Sequence, residues 1–221
     1  MDGSISRIGL LGDIHAEDAS LALALRVLAD AGADRIVAVG DIVDGPRSVD
    51  RCCALLAEAR ATVVRGNHER WFAAGTMREL PHATLDVGAE ARAFLRALPV
   101  TVRIEVARGE ILVCHGLGDD DMASVSLDAD AFAIWHDPSL TALLEDDRPR
   151  WVLNGHTHRR GVWSYATLAI VNGGTLFREH EPCFALVDLG RDEVTYFEIH
   201  RGGRVGHTET RPVPPPRGAR G

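Results

Sequence analysis

The fold is indicated most clearly by the stretch RIVAVGDIVDG, residues 35–45, in which a β-rich apolar run ends at a glycine followed by an acidic residue. The same arrangement occurs earlier in RIGLLGDIH, residues 7–15. The later run ATVVRGNHE, residues 61–69, also ends at a glycine, which is followed by the polar residue asparagine. Helical patterns with leucines on one face separate these three runs. Apolar strands that alternate with helices predict an α/β fold with a parallel sheet, and the polar residues at the strand ends then share one edge.

The second half of the chain continues with strand-like patterns. Two of them, EILVCHG at residues 110–116 and WVLNGHTH at residues 151–158, again end in glycine and histidine. Runs at residues 184–189 and 194–199 flank a turn and predict a closing antiparallel pair. The last stretch is rich in proline, glycine and arginine. We therefore expect a single domain over residues 1–201 and a disordered tail over residues 202–221.

Composition restricts the partners of the protein. The chain has 221 residues with a formal net charge of −8, and it shows no basic stripe of the kind that binds a nucleic-acid duplex. No apolar stretch approaches the ~20 residues that cross a membrane. The four cysteines lack zinc-finger spacing, which favours reduced, buried thiols and a cytoplasmic location. The sequence leaves the oligomeric state open.

The polar residues at the strand ends form the candidate site. They are Asp13, His15, Asp41, Asp44, Asn67, His68, His115, His156 and His158. Carboxylates and imidazoles are common ligands of divalent ions, and this set is too large for one tetrahedral ion. It suits two ions that share a carboxylate, an arrangement used to hydrolyse phosphate esters. Each residue alone has another interpretation, since aspartates often cap helices and histidines are often structural.

The ordered blocks GDIH, GDIVDG, GNHE, CHG and GHTH resemble the calcineurin-like metallophosphoesterase family. The resemblance spans residues 12–158, and it implies a four-layer α/β/β/α sandwich with mixed sheets. It implies a first metal site formed by Asp13, His15 and His158. It implies a second metal site formed by Asn67, His115 and His156. Asp41 would bridge the two ions, for which Mn²⁺ is the first expectation and Fe, Zn, Co or Ni are compatible with the same ligands.

The resemblance also implies the catalytic residues. His68 would protonate the leaving oxygen, Asp44 would orient His68 through a hydrogen bond, and Glu69 would be structural. The expected function is hydrolysis of phosphate mono- or diesters, with small nucleotide-like substrates, by metal-activated hydroxide. The aromatic residues Trp71, Phe132 and Trp135 could stack on a base.

One position departs from the family pattern. Eukaryotic-type protein Ser/Thr phosphatases have an arginine directly after the second aspartate of the GDIVD block, where this chain has Gly45. Arg47, Arg70 and Arg159 are candidates to bind the phosphate instead. A protein Ser/Thr phosphatase and a non-catalytic scaffold of the same fold remain the alternative functions.

Overall fold

The computed structural model describes residues 5–125, 137–165 and 168–213. Its strands are β1 (Arg7–Leu11), β2 (Arg35–Ala38), β3 (Thr62–Val63), β4 (Val102–Val106), β5 (Gly109–Val113), β6 (Pro149–Asn154), β7 (Gly161–Ser164), β8 (Ala169–Asn172), β9 (Cys183–Asp188), β10 (Glu193–His200) and β11 (Arg204–Pro212). The helices among the described residues are α1 (Asp18–Asp30), α2 (Val49–Glu58), α3 (Asn67–Ala74), α4 (Ala89–Arg96) and α5 (Pro138–Glu145).

The strands form two mixed sheets. The first has the order β11-β10-β9-β1-β2-β3, and its β1, β2 and β3 are parallel as the sequence predicts. The predicted pair β9 and β10 is antiparallel, and β9 also runs antiparallel to β1. The second sheet has the order β4-β5-β6-β8-β7, with a parallel centre of β5, β6 and β8 and an antiparallel strand at each edge.

Alternating side chains of these strands build three apolar layers. Ile8 and Leu10 of β1 pack between the two sheets against residues such as Val113, whereas Leu11 faces the helices α1 and α2. On the far side of the second sheet, Leu112 packs against α5. Helices therefore cover the outer face of each sheet, and the expected α/β/β/α sandwich is confirmed.

Two sequence-based expectations differ from the structure. The composition predicts a disordered tail from residue 202, but β11 pairs with β10 from Arg204 to Pro212 as an edge strand. The residues RVGHTETR alternate polar and apolar side chains only weakly, so the pairing comes from the backbone ladder and is not visible as a hydrophobic pattern. The second difference is α3, which begins directly at Asn67, where the sequence pattern indicates only the end of a strand run.

Other expectations concern membrane-spanning helices, the cysteines and the aromatic residues. No helix in the described ranges is long and apolar enough to cross a membrane. All four cysteines are buried and unpaired. Phe132 and Trp135 lie outside the described residues, whereas Trp71 is partly buried on α3.

Candidate metal centre

The nine predicted residues come together at the carboxyl ends of strands from both sheets. The loops after β1 and β2 are joined by backbone hydrogen bonds from Ile14 and His15 to the carbonyl of Asp41, at 2.9 and 2.7 Å. The turn after β6 joins the other sheet to them, because the amide of His156 donates to Oδ1 of Asp13 at 2.9 Å. The two sheets therefore contribute to one site.

The first group of ligand atoms belongs to Asp13, His15, Asp41 and His158, which lie within 4.8 Å of one another. Nε2 of His15 lies 3.0 Å from Nε2 of His158 and 3.9 Å from Oδ2 of Asp41. Two nitrogens that are each ~2.1 Å from one ion lie about 3 Å apart when they subtend a right angle. The spacing of the two imidazoles fits a shared ion.

The ligand atoms of the second group also lie within 4.8 Å of one another, and Asp41 belongs to both groups. These atoms belong to Asp41, His115 and His156. Oδ1 of Asn67 lies 2.8 Å from Nε2 of His115 and 3.0 Å from Nδ1 of His156. Nε2 of His115 is also 3.3 Å from Oδ2 of Asp41. His156 and His158, two residues apart in GHTH, therefore belong to different groups.

The tautomers of two histidines fit metal binding. Nδ1 of His15 faces the carbonyl oxygens of Val43 and Asp44 at 3.2 and 2.9 Å. Nδ1 of His115 faces the carbonyl oxygen of Val39 at 2.6 Å. Carbonyl oxygens only accept hydrogen bonds, so each Nδ1 keeps its proton and donates it. Nε2 is then the nitrogen that would bind an ion once it carries no proton.

The charge balance of the site also fits a cation. Burial raises the pKa of Asp13 to about 7 against the opposing charge of His115. Although burial lowers it, the charge and hydrogen bond of Asp41 raise the pKa of His115 to about 10. Oδ2 of Asp13 is buried with no hydrogen-bond partner among the described residues. Protons thus offset the buried carboxylates, and divalent ions would replace them and use the unpaired oxygen.

Backbone strain is concentrated at the same place. Ten described non-glycine residues have a positive φ, and five of them are predicted site residues: His15, Asp41, Asp44, His156 and His158, with φ between 45° and 69°. A left-handed conformation costs about 1–3 kcal/mol for each non-glycine residue. Each of these residues follows a strand end, and the sharp turn directs its side chain into the site.

His68 lies beside the two groups and is held by Asp44. Its Nδ1 is 2.8 Å from Oδ2 of Asp44, and its Nε2 is 3.9 Å from Oδ2 of Asp41. Burial opposes ionisation of His68, but the hydrogen bond that His68 donates to Asp44 and the charge of Asp41 outweigh it and raise the pKa of His68. A raised pKa favours the protonated form that a general acid needs.

The carboxylate of Glu69 holds the turn that carries Asp41. It is buried, and it accepts hydrogen bonds from the backbone amides of Asp41, Ile42, Val43 and Gly66, at 2.9, 2.7, 3.0 and 2.7 Å. A side chain at position 66 would meet Oδ1 of Asp41 at 2.2 Å, so glycine is required where α3 begins. The structural interpretation of Glu69 therefore agrees with its contacts.

Four residues around the site were not foreseen from the sequence. Arg78 and Thr84 bind Asp44, the first through a bidentate ion pair and the second through its amide at 2.7 Å. Nδ1 of His180 lies 3.0 Å from Nδ1 of His158. The ring centroids of Phe177 and His15 are 5.2 Å apart. All four come from irregular loops, where no periodic pattern or glycine-marked strand end distinguishes them.

The departure at Gly45 has a steric cause. A Cβ at this position would lie 1.7 Å from the carbonyl oxygen of His15, so no arginine fits here without moving the first loop. The three arginines considered as replacements take different positions. Arg70 forms a bidentate ion pair with Asp121 at 2.7 Å. Arg47 approaches buried Glu17, and Arg159 is exposed beside His158.

A family model and a curated protein match the sequence of this chain. The family model for the calcineurin-like phosphoesterase superfamily domain matches residues 7–192. A stretch of 65 residues is 45% identical to serine/threonine-protein phosphatase 1 of Salmonella typhimurium strain LT2. That stretch covers 28% of this chain and 30% of the relative, so the chain matches less than a third of that protein's length.

Solved structures share the fold. A metallophosphoesterase from Sphaerobacter thermophilus aligns with a TM-score of 0.64 and 23% identity, over 88% of this chain and 88% of that chain. Vps29 from Chaetomium thermophilum aligns with a TM-score of 0.57 and 16% identity, over 96% of this chain and all of that chain. At these identities the likeness extends to the fold alone.

Proposed function

The chain belongs to the calcineurin-like phosphoesterase superfamily, and we propose that it is a dinuclear metal-dependent hydrolase of phosphate mono- or diesters. The observation that carries this proposal is the position of Asp41, whose carboxylate belongs to both groups of ligand atoms. A single shared carboxylate between two groups of imidazoles is the arrangement expected for two adjacent ions.

The metal chemistry has a simple form. Asp13, His15, Asp41 and His158 would hold one ion, and Asp41, Asn67, His115 and His156 would hold the other. When bound, two divalent ions would polarise the phosphoryl oxygens and make hydroxide available near neutral pH. Mn²⁺ is the proposed ion, because carboxylate, amide and imidazole ligands suit it, and Fe, Zn, Co or Ni could replace it.

Protein side chains would complete the reaction on the leaving-group side. His68 would donate the proton on Nε2 to the ester oxygen as the bond from phosphorus to that oxygen breaks. Asp44 would keep the proton on Nδ1 of His68 and fix the plane of the ring. The 2.8 Å contact between Nδ1 and the carboxylate supports this pairing.

Small phosphorylated molecules, with nucleotide-like esters first among them, are the proposed substrates. The absence of an arginine at position 45 and the acidic residues Asp119–Asp121 near α3 both disfavour a large phosphoprotein. Trp71 packs on His68 with ring centroids 4.7 Å apart, which places an aromatic ring on the leaving-group side. We also propose a cytoplasmic location, supported by the four unpaired, buried cysteines.

A protein Ser/Thr phosphatase is the second candidate. The 45% identity to serine/threonine-protein phosphatase 1 over 65 residues favours it. The steric exclusion of an arginine at Gly45 counts against it, because a guanidinium that binds the phosphate would have to come from elsewhere.

A non-catalytic scaffold is the third possibility, since the fold is shared with vacuolar protein sorting 29, a name that describes sorting and no reaction. The complete set of ligand residues and the pairing of His68 with Asp44 count against this function for the present chain. Strained backbone conformations cluster at functional sites, and in this chain they direct five ionisable groups into one site.

A substrate panel tests the proposal. Chelator-treated protein is reconstituted with Mn²⁺ and assayed with a chromogenic monoester and diester, a cyclic nucleotide, a dinucleoside polyphosphate and a phosphopeptide. We expect the highest kcat/KM on a nucleotide ester. A preference for the phosphopeptide would favour the second candidate, and bound metal without hydrolysis of any ester would favour the scaffold.

A further inference from the structure

The guanidinium of Arg78 binds the same carboxylate, that of Asp44, which accepts from Nδ1 of His68. Its Nη1 donates to Oδ1 of Asp44 at 2.8 Å and its Nη2 donates to Oδ2 at 2.9 Å. The side chain of Arg78 is 18% exposed and that of Asp44 is 1% exposed. Solvent screening is weak at such a site, and a bidentate pair fixes the plane of the carboxylate as well as its charge.

Arg78 is itself fixed by the loop between α3 and α4. Its Nε donates to the carbonyl oxygen of Thr76 at 2.7 Å, and its Nη1 donates to that of Thr84 at 3.0 Å. Thr84 completes the arrangement, because its amide donates to Oδ1 of Asp44 at 2.7 Å and its hydroxyl accepts from the amide of Asp44 at 2.8 Å. These hydrogen bonds join the loop to Asp44 at two residues, Arg78 and Thr84.

The four donors around the Asp44 carboxylate leave it no alternative orientation. Oδ1 accepts from Arg78 and Thr84, and Oδ2 accepts from Arg78 and His68. Without Arg78 each oxygen would keep one donor, Thr84 on Oδ1 and His68 on Oδ2. The bidentate contact that fixes the plane of the carboxylate would be lost, so the carboxylate could rotate and carry the ring with it. The ring of His68 would then lose its defined direction toward Asp41 and the bound substrate.

From this network we infer that Arg78 is a positioning residue, which acts through Asp44 to hold the imidazole of His68 in line with the leaving oxygen. The inference rests on the proposed function, in which His68 supplies the proton. Among the described residues, the hydrogen bonds of Arg78 go to Asp44 and the loop, and none goes to the two groups of ligand atoms. Its effect should therefore appear in the step that needs the proton, and metal binding should remain unchanged.

The leaving group provides a test that a purely structural role would not pass. An alkyl alcohol needs a proton as the bond to phosphorus breaks, whereas p-nitrophenolate leaves without one. Arg78→Met should lower kcat on an alkyl phosphate ester about 10–100-fold, as expected for a residue that orients a catalytic group. On the matched p-nitrophenyl ester the loss should be less than about threefold. KM and metal content should stay at the wild-type level.

Arg92→Met is the matched control. Arg92 lies on α4 and pairs with Asp86, at the other end of the loop that carries Arg78. In the described part of the chain no hydrogen bond joins Arg92 to Asp44. The Arg92 variant should hydrolyse both esters with the kcat of the wild type. Arg78→Lys keeps the charge but loses the bidentate geometry, so it should show the same selective loss on the alkyl ester. His68→Asn should abolish the difference between the Arg78 variant and wild type.

A second measurement is independent of turnover. In ¹⁵N-labelled protein, the proton on Nδ1 of His68 should give a hydrogen-bonded resonance in wild type and lose it in Arg78→Met. The inference is overturned by an equal loss on both esters, by no loss on either, or by an unchanged His68 resonance. Absence of hydrolysis by the wild type would instead overturn the proposed function, while the resonance would still report whether Arg78 positions His68.

Discussion

The carboxylate of Glu69 accepts a hydrogen bond of 2.9 Å from the backbone amide of Asp41. This contact links the first turn of α3 to the residue that both groups of ligand atoms share. Three further backbone amides donate to the same carboxylate. Glu69 therefore supports the site through the backbone, without reaching a ligand position.

Glu69→Gln should destabilise the protein, because the amide nitrogen of glutamine cannot accept from the backbone donors that it would face. Each buried donor left without an acceptor costs about 1–3 kcal/mol. Chemical unfolding measures this loss, and metal content should fall with it. Glu90→Gln, at an exposed position of α4, is the control and should change neither quantity. Equal stability of the two variants would show that the hydrogen bonds to Glu69 are dispensable.

His68→Asn should lower kcat by about 10²–10⁴-fold, because the general acid is removed. The bound metal, measured by elemental analysis, should remain close to wild type. A variant that loses metal instead would place His68 among the ligands.

The activity of the enzyme should depend on pH through His68. The hydrogen bond that His68 donates to Asp44 and the charge of Asp41 raise the pKa of His68 despite its burial. The acid form is therefore present below this raised pKa, and kcat should fall as the pH rises through it. Asp44→Asn removes the principal cause of the increase, so the alkaline limb of the profile of kcat against pH should move to lower pH. An unmoved limb would assign it to another group.

His156→Ala and His158→Ala should affect different ions. Nε2 of His158 lies 3.0 Å from Nε2 of His15 in one group. Nδ1 of His156 lies 3.0 Å from Oδ1 of Asn67 in the other. Calorimetric titration of the metal-free variants should show one weakened binding step in each case, and not the same step. Identical isotherms for the two variants would contradict the division of the GHTH turn between two ions.

Much of the fold and the composition of the site follow from sequence, for a physical reason. Glycine-marked ends of apolar strands are local features, and parallel strands bring their ends to one edge. The amino-acid sequence alone therefore suffices to assign Asp13, Asp41 and Asn67 to one edge of one sheet. The resemblance to the calcineurin-like family adds the second sheet and the division of ligands.

The remaining features depend on long-range contacts. Arg78 contacts Asp44 across 34 positions of sequence, from an irregular loop that no periodicity describes. His180 reaches His158 in the same manner across 22 positions. The prediction of a disordered tail is wrong for the edge strand β11, because its pairing with β10 uses backbone groups that every sequence has.

The most direct test of the dinuclear site is the amount of Mn²⁺ needed to restore hydrolysis to chelator-treated protein. Activity should rise with added metal and reach its plateau at two ions per chain. Asp41→Asn should remain inactive over the same titration, because its shared carboxylate is lost. Full activity after exhaustive chelation, or a plateau at one ion per chain, would contradict the account.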